Sequence, residues 1–466
     1  MSTVVRHWLA DELASGMDAA DVVTDPAVLD AYACDAAPFS PAGRPTALVF
    51  PRGIADVQHV MRTAFRLGVA VVPQGTRTGL TGAANAVDGC VLLSMTKMDR
   101  ILDVDPVNRL ARCQPGVTNR SLREAVARHG LSSPSDPLSP ETSTIGGDIA
   151  TGAAGGCCAT YGTTADHVLG LSLVLSDGRL TRLGRRTASR AAGYDLARLF
   201  VGSEGTLGVT VEATLSLRPK ADPSLALLAQ FDSDAAAADA VAAVIGAGHT
   251  PSALELLDAV TTAAVADLGH PDLGLRDATT LLIESDTPDR AQDIDAMARL
   301  CDSAGARHVT PGRTVEAARR LRKARAMVPS ALRAAAARDC AHPTVFIADV
   351  AVPRTRLADL VEAVAAIAEA HAILIATVGH AADGRLHPTV VFDQDDLDAH
   401  ERARHAHDEV MAAALSMNGT ITGEHGVGLL KRDWLGRELD PVAMELHREI
   451  KNLLDPTGIL NPGKVL

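Results

Sequence analysis

Between residues 142 and 163 the chain reads Thr-Ser-Thr-Ile-Gly-Gly-Asp-Ile-Ala-Thr-Gly-Ala-Ala-Gly-Gly-Cys-Cys-Ala-Thr-Tyr-Gly-Thr, with too little side chain to build a core of its own. Such a stretch must lie against something else, and its glycines allow tight turns and close backbone approach. Runs of backbone N–H groups in turns of this kind can hold a phosphate or another anion. Plain packing of small residues is the alternative. Two further loops tilt the balance: Pro73-Gln74-Gly75-Thr76-Arg77-Thr78-Gly79-Leu80-Thr81-Gly82, and Gly202-Ser203-Glu204-Gly205-Thr206-Leu207-Gly208. Each follows or precedes an apolar strand-like run, so together they predict one large cofactor held mostly by main chain.

The elements around these loops are readable from periodicity. A strand at 47–50 leads to a helix at 54–67, whose apolar positions Val57, Val60, Met61, Ala64 and Leu67 share one face. A fully apolar strand at 69–72 delivers the first loop, and strands follow at 91–93 and 109–113. A helix ends at Gly130, and a strand at 171–175 enters the Asp177-Gly178 turn. Strict alternation over 209–217 predicts a strand with Val209, Val211, Ala213, Leu215 and Leu217 on its inner face, ended by Pro219. The glycines of the first loop are wrongly spaced for GxGxxG and open no helix, which speaks against a nicotinamide-binding Rossmann unit. After about residue 221 strands at 225–231, 281–284, 346–350 and 373–378 alternate with helices at 234–245, 291–301, 313–325 and 357–370. Gly246 is the expected stop of the first of these helices. The spacing suits an antiparallel sheet with helices on one side and lacks the eight regular βα units of a barrel.

Charge and composition exclude other classes. A formal charge of −13 leaves no general basic footprint for nucleic acid, and aromatic residues at 3% supply few stacking platforms. Seven cysteines without a CxxC pair suggest a reducing compartment, and give neither a structural zinc nor an iron–sulfur spacing. No apolar run reaches the length of a membrane span, and the opening residues lack a secretory signal pattern.

Chemistry-bearing residues concentrate late in the chain. His380 and His387 stand seven apart in Gly379-His380-Ala381-Ala382-Asp383-Gly384-Arg385-Leu386-His387-Pro388, and Thr422-Gly423-Glu424-His425 adds a carboxylate and a third imidazole. Two imidazoles and a carboxylate suit Zn²⁺ or a similar ion with positions left for substrate; satisfied histidines at loop ends are the other reading of the spacing. Asp383 either orients an imidazole or caps its own turn. The run Arg319-Arg320-Leu321-Arg322-Lys323-Ala324-Arg325 reads mostly as a solvated helix face.

With these motifs quoted, a family emerges. Thr144-Ile145-Gly146-Gly147 after Pro137 and Ser139, then Tyr161-Gly162-Thr163, Gly193-Tyr194-Asp195-Leu196 and the 202–208 loop resemble the vanillyl-alcohol-oxidase-like flavoproteins. More narrowly, residues 32–466 resemble the FAD-linked 2-hydroxy-acid dehydrogenases that oxidise D-lactate, glycolate or D-2-hydroxyglutarate. The resemblance implies an α+β chain: a two-lobed FAD-binding domain of the p-cresol-methylhydroxylase (PCMH) type at 42–221 and a ferredoxin-like antiparallel sheet with helices at 222–415. Residues 1–41 are a helical lead-in, and 416–466 return to the flavin site. Flavin contacts are expected from Pro73, Gln74, Gly75, Thr76, Arg77, Thr78, Gly79, Gly82, Pro137, Ser139, Thr144, Gly146, Gly147, Gly155, Tyr161, Gly162, Glu204, Gly205, Gly208 and Asn461. Thr78 stands where some relatives attach the flavin to histidine, so FAD is expected to be non-covalent. His380, His387 and Glu424 match ligands of a divalent metal, Zn or Mn, His425 the catalytic base, and Arg325 the arginine for the substrate carboxylate. Arg385 replaces a neutral amide and either clamps a second anionic group or points away.

The implied reaction converts a small 2-hydroxy acid to the 2-oxo acid, with electrons passing to a quinone, a cytochrome, an electron-transfer flavoprotein or oxygen. A metal-free alcohol or aldose oxidase of the same fold, or a flavin-binding subunit without turnover, is the alternative. The expected protein is cytoplasmic; a homodimer and peripheral attachment to the inner face of a membrane are compatible with it.

Overall fold

The computed structural model describes residues 3–133, 141–187, 189, 191–268, 278–338, 340 and 342–466, with side chains from Trp8 onward. The chain divides into two compact units. The first comprises Met1–Ala154, Gly162–Lys220 and Glu424–Leu466; the second comprises Gly155–Tyr161 and Ala221–Gly423. The glycine-rich stretch therefore changes units twice within its own length. Pro137 and Ser139 lie outside the described residues.

Two sheets build the first unit. Ala47–Val49, Val91–Ser94 and Val71–Gln74 are parallel neighbours in that order, with Val22–Val23 added antiparallel at the edge. The helix Ile54–Leu67 covers them, burying Val57, Val60, Met61 and Ala64. Burial of a valine or methionine contributes about 1.5–3 kcal/mol, so this one face is a principal source of the lobe's stability. Asp56 accepts from the Gly53 N–H at 3.2 Å at the helix start, and the chain leaves it through Gly68 at φ 64°. The second sheet is antiparallel, in the order Ile101–Asp105, Leu110–Cys113, Val209–Ser216, Val168–Val174 and Leu180–Gly184. Val209, Val211, Ala213 and Leu215 are buried as their alternation requires, and Thr214 on the opposite face is buried too. Pro219 does not end the pairing: Arg218–Pro219 forms a short second ladder with Leu131–Ser132.

The last segment of the chain completes this unit. Leu460 pairs in parallel with Val71, and Ile459 and Asn461 exchange backbone bonds with the same residue at 2.8 Å each. Ile450 and Leu454, on the helix Pro441–Leu454, pack against the core of the antiparallel sheet.

An eight-stranded antiparallel sheet forms the second unit. Its main path runs His308–Gly312, Leu225–Phe231, Thr279–Ser285, Ala253–Leu257, Leu374–His380, Arg385–Asp393 and Pro343–Ile347, with Val350–Ala351 also on Arg385–Asp393. Helices cover both faces rather than the expected one. Every residue of Leu225–Phe231 is buried, and Ala226 and Leu228 pack under Ala318 and Leu321 of the helix Val315–Ala336. The alternate residues point the other way, and the helices Asp234–Gly246 and Arg290–Ser303 also pack on this strand. Asp234–Gly246 continues through Gly246, and the turn falls at Gly248, φ 84°.

Candidate active site

In the first unit the expected flavin loops converge. Gln74 is buried and staples the first loop, donating from Nε2 to the carbonyls of Tyr32 (3.0 Å) and Ala84 (2.7 Å). Thr76 donates to the Thr142 carbonyl at 2.7 Å, and a Cβ on Gly75 would stand 2.6 Å from Thr144 Oγ1. Only glycine allows that approach. Thr144 caps the helix Ile145–Thr151 by accepting from Gly147 N, and Gly146 N donates to Pro115. The third loop joins through Gly202 N to Ile149 O at 2.9 Å and Glu204 N to Ala150 O at 2.7 Å, while Gly205 packs on Pro73. Asn461 ties two loops together, its amide donating to Ala83 O (2.9 Å) and Glu204 O (2.8 Å).

One feature of this cluster suits a phosphate-bearing cofactor directly. Among the described residues no protein oxygen accepts from the successive backbone N–H groups of residues 75–79. Arg77 has a left-handed φ of 60°, with its guanidinium 3.8 Å over the Tyr32 ring. Successive backbone N–H groups next to a left-handed residue are the kind of geometry that can hold an anion. Thr78 is exposed there and, like its neighbours, offers no imidazole for a covalent link. Gly79 accepts from Ala36 N, Gly82 packs on Ser40, and Gly162 lies against Asp166. Gly208 serves packing, meeting the Phe200 ring and the Val174 carbonyl.

The Glu204 side chain is engaged by backbone. Its buried carboxylate accepts from Val427 N at 2.7 Å and Gly428 N at 2.9 Å, holding the turn that follows His425. Burial pushes its carboxyl up to about 7, only partly opposed by those two N–H groups and by Lys431.

The second unit gathers a polar cluster on one sheet face. Glu255 pairs in register with His380, and His380 with Arg385, on adjacent strands; His387 lies two residues past Arg385 and so shares their face. Arg325 descends onto that face from the helix Val315–Ala336. Its Nε donates to Glu255 Oε2 at 2.7 Å, and Glu255 Oε1 is 2.6 Å from His380 Nδ1. All three are buried. Burial alone would raise the Glu255 carboxyl, but the charges of His380 and Arg325 outweigh it and hold it down at about 2. The rings of His380 and His387 stand edge to face, 5.3 Å between centroids. Buried Asp349 lies 3.7 Å from His387 Nδ1 and accepts from Thr422 Oγ1 and Gly423 N at 2.8 Å each, which fixes the chain one residue before Glu424 and His425.

Glycine has a second task here. A Cβ on Gly156 would fall 2.8 Å from Glu255 Oε1 and 3.6 Å from His380 Nδ1, so the glycine-rich stretch lets backbone lie against this pair. Gly155 accepts from Arg385 Nη2 at 2.9 Å. Tyr161 donates to Asp286 at 2.5 Å and so is engaged by the second unit's own residues. Arg385 is neutralised within its hairpin, Nη2 and Nε meeting Asp383 Oδ2 at 2.8 and 3.0 Å. Asp383 is thus the counter-ion of Arg385 and not the orienting partner of an imidazole; Glu255 orients His380. Glu255 and Asp349, which sequence reasoning missed, are the acids of this cluster.

Comparison with known proteins now decides the family. Residues 45–184 match the family described as FAD binding domain, and residues 222–465 that described as FAD linked oxidases, C-terminal domain. The chain belongs to the FAD-linked oxidases. This FAD-linked oxidase is 38% identical over 436 residues to a glycolate oxidase subunit GlcD of Bacillus subtilis, covering 93% of the chain and 91% of that protein. It is 34% identical over 446 residues to a D-lactate dehydrogenase of Archaeoglobus fulgidus, covering 94% and 96%. Its fold is that of p-cresol methylhydroxylase, with a TM-score of 0.81 at 16% identity over 100% of the chain and 97% of the other, and of a 4-ethylphenol oxidase from Gulosibacter chungangensis, with a TM-score of 0.78 at 18% identity over 100% and 98%. No helix among the described residues of the oxidase is long and apolar enough to cross a membrane.

Proposed function

We propose that this FAD-linked oxidase dehydrogenates a small 2-hydroxy acid of the lactate, glycolate or 2-hydroxyglutarate type to the 2-oxo acid. The observation that carries the reading is the buried Arg325–Glu255–His380 chain with His387 beside it. An arginine held through Nε presents its Nη edge to a carboxylate, and paired imidazoles beside it suit the neighbouring hydroxyl.

The residues fit both groups that the family implies. The 75–79 backbone and the loops around it would hold FAD non-covalently; when bound, FAD supplies the acceptor for the α-hydrogen, which leaves as hydride. His380, with Nδ1 engaged by Glu255, would offer Nε2 to a divalent ion, Zn or Mn, together with His387 and Glu424. Such an ion lowers the pKa of a hydroxyl. Arg325 binds the carboxylate and sets the orientation of Cα. His425 accepts the hydroxyl proton, a task suited to an imidazole near neutral pH. Arg385, already paired with Asp383, serves to hold its hairpin and the Gly155 carbonyl more than to recruit a second carboxylate. Electrons leave for a partner subunit or a separate acceptor, in keeping with relatives named as a subunit of glycolate oxidase.

The test separates base from ligands. His425→Ala should keep flavin and metal while flavin reduction in stopped flow slows by about 10²–10⁴-fold. Alanine at His380, His387 or Glu424 should lower metal content and turnover together. Flavin should leave the denatured protein intact. A parent protein fully active after chelation would move the assignment to a metal-free alcohol oxidase.

A further inference from the structure

We propose that Glu255 is a positioning residue that ties acid binding to the histidine pair, because its one carboxylate fixes the Arg325 guanidinium through Oε2 and the His380 imidazole through Oε1. The proposal rests on the roles given above to Arg325 and His380. Its distances are short and specific, 2.7 Å to Arg325 Nε and 2.6 Å to His380 Nδ1, with all three side chains buried. Both bonds start from a rigid place. Glu255 is central in a strand paired on both sides, opposite Ala253–Leu257's neighbours Thr279–Ser285 and Leu374–His380. The Gly156 backbone lies against its Oε1 edge, which leaves the carboxylate little room to rotate.

The chemistry of the bridge sets two properties at once. An acceptor at Nδ1 selects the tautomer in which Nδ1 carries the proton and Nε2 the lone pair. An acceptor at Nε of arginine fixes the plane of the fork and hence the direction of both Nη groups. A carboxylate can accept from both partners, whereas an amide has only one accepting oxygen. Glu255→Gln therefore cannot preserve both bonds, and its nitrogen faces a donor.

The same helix supplies a control. One turn before Arg325, Arg322 holds buried Glu284 with Nε at 2.8 and 2.7 Å from its two oxygens. This pair anchors the helix Val315–Ala336 to the sheet as Glu255 does, but involves no imidazole. Anchoring of the helix alone predicts equal consequences for Glu284→Gln and Glu255→Gln.

The experiment compares the full-length parent, E255Q and E284Q in three readouts. In ¹⁵N-histidine NMR of metal-free protein, with His380 assigned by its own substitution, E255Q should lose the Nδ1–H tautomer and E284Q should keep it. In chelator competition with Zn²⁺, affinity should fall 10–100-fold in E255Q and stay within about twofold in E284Q. For the oxidised hydroxy acid, KM should rise about tenfold or more in E255Q alone. An unchanged His380 tautomer in E255Q overturns the proposal, as does equal loss in the two variants. A parent that binds no Zn²⁺ and oxidises no hydroxy acid overturns the functional reading instead, and the NMR comparison then still decides whether Glu255 sets His380. If E255Q fails to fold, E255D replaces it: the charge remains, the reach is one methylene shorter, and the same loss of the Nδ1 bond is expected.

Discussion

Each unit buries a glutamate beside residues assigned to function, and the two acids behave oppositely. Glu204 in the first unit rises to about 7; Glu255 in the second falls to about 2. Burial opposes the charged form in both. The difference lies in the partners. Glu204 faces two neutral backbone N–H groups, with Lys431 acting only through space, whereas Glu255 is in contact with a guanidinium and an imidazole. Depth of burial thus does not tell which acid is ionised; the charge of the donors does. The first unit uses its glutamate to shape backbone, and the second uses its own to hold a guanidinium and an imidazole.

The comparison breaks most severely if a cation is removed. Arg325→Met should lower unfolding stability by about 3–5 kcal/mol in urea titrations, since it strands a buried carboxylate. It should also lower kcat/KM for the hydroxy acid by on the order of 10²-fold. A stability change below about 1 kcal/mol would show that Glu255 does not depend on Arg325.

Glu204 sharpens the contrast through pH. Folding raises its carboxyl from 4.5 to about 7, so the folded state holds that proton more tightly than the unfolded chain. The stability it contributes is complete below 4.5 and is lost as pH climbs to about 7. The difference in unfolding free energy between Glu204→Gln and the parent should shift toward the variant across that window, by on the order of 3 kcal/mol at about 1.4 kcal/mol per unit, and level off above it. A pH-independent difference would place the Glu204 pKa at its ordinary value. Asn461→Ala should give the smallest effect, about 1–2 kcal/mol of stability in urea titrations for two lost bonds to loop carbonyls. Its flavin affinity should fall as well, because those bonds hold the loops at 83 and 204 together.

How much of this was legible in the sequence follows from the range of the interactions. The helix Ile54–Leu67 and the strand Val209–Ser216 could be read residue by residue, because periodicity is local. The glycine loops were legible for the same reason, and Arg325, His380 and His387 through the family resemblance. Glu255 was not. A single acid within Ala-Leu-Glu-Leu-Leu reads as a solvent-facing strand position, and its partners stand 70 and 125 positions away. Asp349 was hidden likewise at the end of an apolar run. For Arg385 the sequence leaves both a clamp for an anionic group and an outward-pointing side chain open, and its pairing with Asp383 two residues earlier shows only in the folded hairpin. The double helical cover of the second sheet needed the fold, since a fully apolar strand does not say what lies on either side of it.

The chain's four crossings between units also bear on its synthesis. Val71, in a lobe made early, pairs with Val91 and also forms a bridge to Leu460. The buried ammonium of Lys464, which burial brings down to about 8, donates to the Asn85 carbonyl at 2.8 Å. The first unit therefore completes this pairing only after residues 459–464 have been made, whereas the second unit's sheet, whose strands lie between 225 and 393, needs none of them. A stop codon just after Gly423 would strip the earlier-made unit of a strand partner and leave the later-made sheet with every one of its strands.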